Sequence, residues 1–164
     1  MAKLEYRGKT YTAEADISAL LAQYGVPYER WGLRAGAADG PDEDVLRIYK
    51  PEVDRLMTER GYVSVDLVAL RPTTPGLADL MARFDKEHHH VDDEVRFTVE
   101  GEGVFEIEAE RGQFLKFTAE PGDLIVIPAK RRHLFYLTER KSIRCIRLFQ
   151  TKAGWEALYE RAAN

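Results

Sequence analysis

Residues 87–103 read EHHHVDDEVRFTVEGEG, and three consecutive histidines followed by acidic residues are the part of this chain best equipped for chemistry. Side chains of an extended segment alternate between two faces, so His88 and His90 point one way and His89 the other. His88 and His90 can therefore grip a common ion. If the extended geometry runs on, Glu94 and Arg96 share their parity, while Val95, Phe97 and Val99 pack on the opposite side. Asp92 and Asp93 are read as solvated turn residues, which weakens parity across them. Two neutral imidazoles and a carboxylate form the mixed nitrogen and oxygen set that suits divalent iron, nickel, manganese or zinc. The lack of thiolate partners argues against a structural cysteine-type zinc site. His133, the only other histidine, follows a strand that ends at Pro128. In HLFYLT it shares parity with the inward-looking Phe135 and Leu137, so a fourth ligand from a facing strand is reasonable. The plain alternative is a surface His-x-His pair that holds no metal; the addition of Glu94 and His133 weighs against it. His89 is expected to face outward or to sit behind the ligands.

Elements of a suitable kind must position these groups. From about residue 87 the chain runs in short alternating stretches, EVRFTVE, VFEIEAE, QFLKFTAE, DLIVIP, HLFYLT and SIRCIRLF, separated by turn residues. That is the spacing of a β-sandwich or small barrel. Upstream, KLEYRGKTYT suits a short hairpin around Arg7, Gly8 and Lys9, and Ile17, Leu20 and Leu21 predict a helix ending near Tyr24. Val45, Ile48, Leu56 and Met57 predict a helical face over 42–61, kinked or restarted by Pro51 and stopped by Gly61. YVSVDLVAL, 62–70, has the β-branched content of a strand, ended by RPTTPG. Leu77, Leu80, Met81 and Phe84 predict one more short helix, and the tail GWEALYERAAN a last one. The expected fold class is mainly β with flanking helices.

A chain of 164 residues has room for one domain with a hydrophobic core. With 24 Lys and Arg against 28 Asp and Glu, and a formal net charge of -4, nothing calls for a polyanionic partner such as nucleic acid. A small substrate is the simpler expectation. The single cysteine, Cys145, cannot form an internal disulfide, and the N-terminal residues lack the apolar core of a signal peptide. A reducing, cytoplasmic compartment is expected. No apolar run approaches the roughly 18 residues needed to span a bilayer, so no membrane partner is expected.

The residues that could do chemistry fall at the spacing of two cupin motifs. His88, His90, Glu94 and Gly101 match the first, and Gly122, Pro128 and His133 the second. Lys130 stands where the second motif often has glycine, which bears on the turn before His133. Within the cupins the chain resembles the acireductone dioxygenase family over most of its length. The signs are YERWGL from Tyr28, GYVSVDLVAL from Gly61, DEVRF from Asp93, GDLIVIPA from Gly122, IRLF from Ile146 and the pair Gly154, Trp155. The resemblance implies a single cupin domain, a double-stranded β-helix or jelly-roll-like barrel. Residues 1–86 would be a mixed helix and strand elaboration, 87–150 the metal-binding barrel and 151–164 a tail. It also implies a metal, Fe2+ or alternatively Ni2+, held by His88, His90, Glu94 and His133 with two positions left to water or substrate. The implied substrates are O2 and an acireductone, 1,2-dihydroxy-3-keto-5-methylthiopentene. The implied products are a keto acid and formate with iron, or methylthiopropionate, carbon monoxide and formate with nickel. A monomer is expected. A cupin module that binds a ligand without catalysis, and another cupin enzyme such as a sugar isomerase, are the alternatives.

A dianionic enediol needs positive charge beyond the metal, because Glu94 already cancels part of it. Arg96 and Arg147 are the catalytic candidates. Arg147 has the parity of Ile143, Cys145 and Phe149 in SIRCIRLF, an inward and mostly apolar face, so its guanidinium calls for an anion. A structural carboxylate and the substrate are equal contenders there; Arg96, two residues from Glu94, has the better case for touching substrate. Phe84, Phe97, Phe135 and Trp155 could line an alkyl pocket, although core packing is the commoner fate of such rings. Lys130, Arg131 and Arg132 read as a solvated loop edge, with steering of an anionic substrate as the sharper alternative.

Overall fold

The computed structural model describes residues 2–151 and 155–160. Two strands open the chain, β1 (Lys3–Tyr6) and β2 (Lys9–Tyr11), joined by Arg7 at φ 50 and Gly8 at φ 75. Positive φ at both loop residues gives the hairpin a turn whose twist matches the strands. Helix α1 (Glu14–Gln23) follows, and Gly25 takes φ 73 just beyond its end. The short strand β3 (Tyr28–Arg30) has no counterpart in the sequence reading, because three residues are too few to display a period.

Residues 42–61 form two helices, α2 (Asp42–Ile48) and α3 (Lys50–Arg60), with the break at Tyr49 and Pro51 in the first turn of α3. A proline there sacrifices only a backbone N–H that has no helical partner in any case. Gly61 ends α3 in the left-handed region at φ 75. Strand β4 (Ser64–Leu70) and helix α4 (Leu77–Phe84) lead into six strands: β5 (Glu94–Gly101), β6 (Gly103–Glu110), β7 (Gln113–Ala119), β8 (Asp123–Ile127), β9 (His133–Leu137) and β10 (Ile143–Phe149).

The strands build two five-stranded antiparallel sheets, ordered β2-β1-β7-β6-β9 and β3-β8-β5-β10-β4. This is the mainly β cupin architecture. Strands from before residue 86 are built into both sheets. Between the sheets lies one core, which includes Leu4, Phe105, Phe117 and Phe135 from the first and Ile125, Ile127, Ile143 and Cys145 from the second. The outer face of the second sheet makes another core, in which Val95, Phe97, Val99, Ile146 and Leu148 pack with Val45, Tyr49, Val53 and Leu56 of the helical segment.

That second layer gives β5 its unusual character. Its apolar residues face the helices, and its polar residues, Glu94, Arg96 and Thr98, face the interior at 2%, 6% and 1% exposure. Charged groups buried this deeply in the middle of a sheet cost stability unless they are paired or bind something. Gly101 at the end of β5 sits at φ 76, and a Cβ there would lie 2.1 Å from the Ser142 carbonyl oxygen. Close approach of two backbones, as well as the left-handed conformation, therefore demands glycine.

The tail departs from expectation. Residues 155–160 are not helical; Leu158 pairs with His89 through reciprocal backbone hydrogen bonds of 2.9 and 3.0 Å. The backbone groups a helix would use internally are spent on partners distant in the sequence. The remainder of the expected helix, 154 and 161–164, lies outside the described residues.

Candidate metal centre

His88, His90, Glu94 and His133 are all buried, and one ligand atom from each lies within 4.8 Å of every other. Three separate segments bring them together. His88 pairs with His133 through an isolated antiparallel bridge, with N–H to carbonyl distances of 3.0 and 2.8 Å, so those two side chains start as neighbours. His90 shares parity with His88. After the bend at 91–93 the chain re-enters the second sheet at Glu94, whose inward direction is set by pairing with Ile127 of β8.

The orientation of each imidazole is fixed from behind. His88 Nδ1 lies 2.6 Å from the Lys86 carbonyl, His90 Nδ1 2.9 Å from that of Glu156, and His133 Nδ1 2.9 Å from that of Arg131. A carbonyl can only accept, so each Nδ1 carries the proton and each neutral ring turns the Nε2 lone pair inward. His90 Nε2 and His133 Nε2 then stand 3.0 and 2.8 Å from Glu94 Oε2, while the buried His88 Nε2 has no partner among the described residues. Lone pairs from three nitrogens and a carboxylate oxygen converging without a donor repel one another. A divalent cation resolves that conflict, and the residues present fit one: this is a three-histidine, one-glutamate metal site with which Fe2+ and Ni2+ are both consistent.

The electrostatics agree. Burial pushes the Glu94 carboxyl up, but the Arg96 guanidinium foremost outweighs it, and the group sits well below the usual carboxylate range. Burial, reinforced by His133, lowers His88 to about 4, so its lone pair stays available at neutral pH. His90 is the exception: burial opposes charge there too, but the Glu94 carboxylate more than offsets it and raises that ring above its ordinary value, so without a cation a proton at Nε2 relieves part of the conflict. Metal addition should therefore stabilise the fold. At a hundredfold excess over its Kd a single-site metal is expected to contribute about 2.7 kcal/mol. At roughly 2–4 °C per kcal/mol for a chain of this size, the metal-loaded protein should melt about 5–10 °C above the chelator-treated protein in scanning calorimetry.

Arg96 is the inward charge nearest these groups. Its Nε donates to Glu94 Oε1 at 2.8 Å, and its guanidinium carbon lies 4.4 Å from the Phe135 ring centroid and 5.2 Å from that of Trp155. Arg147 is its cross-strand neighbour in β10. Its parity is the expected one, yet it is only half-buried, and it forms a two-point ion pair with Asp66 of β4 at 2.8 and 2.6 Å. The anion it calls for is thus supplied by the protein. Asp66 is absent from the sequence reading, although an acidic residue inside the apolar run YVSVDLVAL was a usable signal.

A cavity of about 160 Å³ adjoins the cluster, lined by Arg96, Arg147, Phe135 and Trp155 on one hand and by Val68, Leu70, Leu80, Met81 and Phe84 on the other. Phe84 lies 5.6 Å from the His88 ring, and Trp155 stacks on His90 at 6.4 Å. Phe97 is elsewhere, packed on Trp31 and Tyr49 in the outer core.

Two expectations for the surrounding loops need correction. Asp93 is not merely solvated: it accepts from the Tyr62 hydroxyl at 2.9 Å and the Ala129 N–H at 2.8 Å, while its own N–H donates to Gln150 at 2.9 Å. Asp92 accepts from the Thr151 hydroxyl at 2.6 Å. Arg132 is 8% exposed and binds the Glu87 carboxylate and the carbonyls of Glu87 and Tyr159 at 2.7, 3.0 and 3.1 Å, which closes the tail over the histidines. A charged run in sequence conceals which member has a buried partner. His89 is half-buried and lies 3.5 Å from Arg132 through Nδ1.

Lys130 occupies the left-handed region at φ 65, and its N–H donates to the His90 carbonyl at 2.7 Å. A side chain there costs about 1–2 kcal/mol, part of which glycine would return to unfolded-state entropy. Lys130→Gly is expected to raise stability by about 0.5–1 kcal/mol without altering metal content, as read by thermal melting and elemental analysis. A lower melting temperature would contradict that reading of the turn.

The family profile described as ARD/ARD' family matches residues 19–157. An acireductone dioxygenase of Sulfurihydrogenibium sp. is 42% identical over 170 residues, covering 97% of this chain and 94% of the relative. One of Bacillus pumilus is 37% identical over 90% of this chain and 89% of its own. The solved acireductone dioxygenase of Bacillus anthracis, which has a cadmium ion in its active centre, is 35% identical with a TM-score of 0.91, covering 97% of this chain and 98% of that one. Short metal-binding motifs arise in unrelated proteins, but likeness that also runs through the helices, both sheets and the tail does not reduce to a motif, and the chain belongs to the ARD/ARD' family of metal-dependent dioxygenases.

Proposed function

We propose that this chain cleaves 1,2-dihydroxy-3-keto-5-methylthiopentene with O2 in methionine salvage. With Fe2+ the products are 4-methylthio-2-oxobutanoate and formate; with Ni2+ they are 3-methylthiopropionate, carbon monoxide and formate. The observation that carries this reading is the inward convergence of three Nε2 lone pairs and Glu94 beside a buried arginine and a mostly apolar cavity. His88, His90, Glu94 and His133 are the proposed ligands. When bound, the metal supplies Lewis acidity and open coordination positions for an enediolate and dioxygen.

The protein's own groups account for the remaining requirements. Three backbone carbonyls hold the imidazoles in one tautomer, so the centre needs little reorganisation. Arg96, fixed by Glu94 and by the Phe135 ring, places positive charge where a dianionic substrate brings its excess. Phe84, Phe135 and Trp155 exclude water around it, which strengthens that interaction. Arg147, already neutralised by Asp66, shapes the wall beside Trp155, 5.3 Å from its guanidinium carbon. The cavity receives the methylthioethyl tail. Among the described residues no helix is long and apolar enough to cross a membrane, and the free, buried thiol of Cys145 suits a reducing cytoplasmic setting.

The direct test loads the protein anaerobically with Fe2+ and then supplies oxygen and freshly generated acireductone. Oxygen uptake with stoichiometric formate and keto acid is expected. No uptake would favour a ligand-binding module, and an isomerised sugar another cupin activity.

A further inference from the structure

The cavity beside the metal centre has a neighbour. On the other side of α4, Pro72, Leu77, Ala78, Tyr136, Leu137 and Lys141 contribute to an open groove of about 390 Å³ along β9. Met81 alone lines both the groove and the 160 Å³ cavity. It belongs to α4, none of whose residues is fully buried, and it packs on the inter-sheet core with Leu77, Leu80 and Phe84. The wall between the cavity and the groove is thus one unbranched, adaptable side chain on a surface helix.

Size gives this wall a consequence. A space of about 160 Å³ has room for the four non-hydrogen atoms of a methylthioethyl tail. We propose that Met81 sets the length of the substrate tail: its thioether separates cavity from groove and excludes acireductones whose unbranched chain is longer than methylthioethyl. This rests on the reaction proposed above, with the groove as the space a longer chain would enter if the partition were removed. The groove's Leu77, Tyr136 and Leu137 offer that chain apolar surface.

The test uses a series of acireductones with straight alkyl tails of four, six and eight non-hydrogen atoms. For the Fe2+-loaded wild type, Met81→Ala and the double variant Met81→Ala with Ala78→Trp, kcat/KM is measured by oxygen uptake. Kd is measured by titration calorimetry under nitrogen, where turnover cannot occur. Each protein is scored by its own ratio of long to short tail, so loss of folded material cancels. A single methylene that does not fit is typically worth 10-fold or more. The wild type is accordingly expected to disfavour the eight-atom tail at least tenfold in both measurements. Met81→Ala should recover at least tenfold in that ratio, and filling the groove at Ala78 should remove the gain. An unchanged ratio in Met81→Ala overturns the proposal. Should the wild type consume no oxygen with any member of the series, the reaction is refuted instead, and the anaerobic Kd ratios still decide whether Met81 is the partition.

Discussion

Replacing Glu94 with alanine is expected to lower metal affinity by more than about 10²-fold and to remove turnover with it. Outer partners of metal ligands alone are worth 10- to 100-fold, and Glu94 is the proposed anionic ligand among three neutral ones. It is also the partner of Arg96, at 2.8 Å in a site where both side chains are buried. Removing one member of such a pair leaves a buried charge uncompensated, at a cost of about 3–5 kcal/mol. The metal-free variant should therefore melt well below metal-free wild type. Glu94→Gln separates shape from charge: it refills the space but gives Arg96 no counter-charge, so it should recover little of either loss. Elemental analysis, oxygen uptake and calorimetry on the same preparations check this. Normal metal content with full turnover in either variant would refute Glu94 as a ligand.

For Arg96→Lys the expected result is a fall in kcat/KM of about 10²–10³, the range for loss of one preorganised charge-stabilising donor, with metal content close to wild type. Lysine keeps the charge but not the planar fork that reaches Glu94 while lying over Phe135. Arg147→Lys provides the contrast. Its guanidinium is committed to Asp66 and partly solvated, so a loss of about tenfold or less is expected. Equal losses at the two positions would mean that both arginines meet the substrate. A large loss of metal in Arg96→Lys would mean that this residue acts by holding Glu94 alone.

The sequence by itself determined the ligand types and their faces. Period-two alternation is a covalent property of extended backbone, so His88 with His90, and Glu94 with Arg96, could be paired before any contact was known. The strands from residue 94 to 149 were legible for the same reason, and Gly25 and Gly61 marked helix ends because few other residues tolerate positive φ. Only the tertiary structure decided what each charge meets. Asp66 reaches Arg147, and Glu87 reaches Arg132, across gaps of 81 and 45 residues, and nothing local says which arginine each carboxylate will meet. The carbonyls of Lys86, Arg131 and Glu156 that orient the histidines leave no trace in sequence at all, since every residue carries one. The tail reads as a helix by composition and is an extended cover in fact, because its backbone groups find partners on His89, His90 and Arg132 that local propensity cannot see. Local chemistry chose the groups, and long-range packing chose their partners.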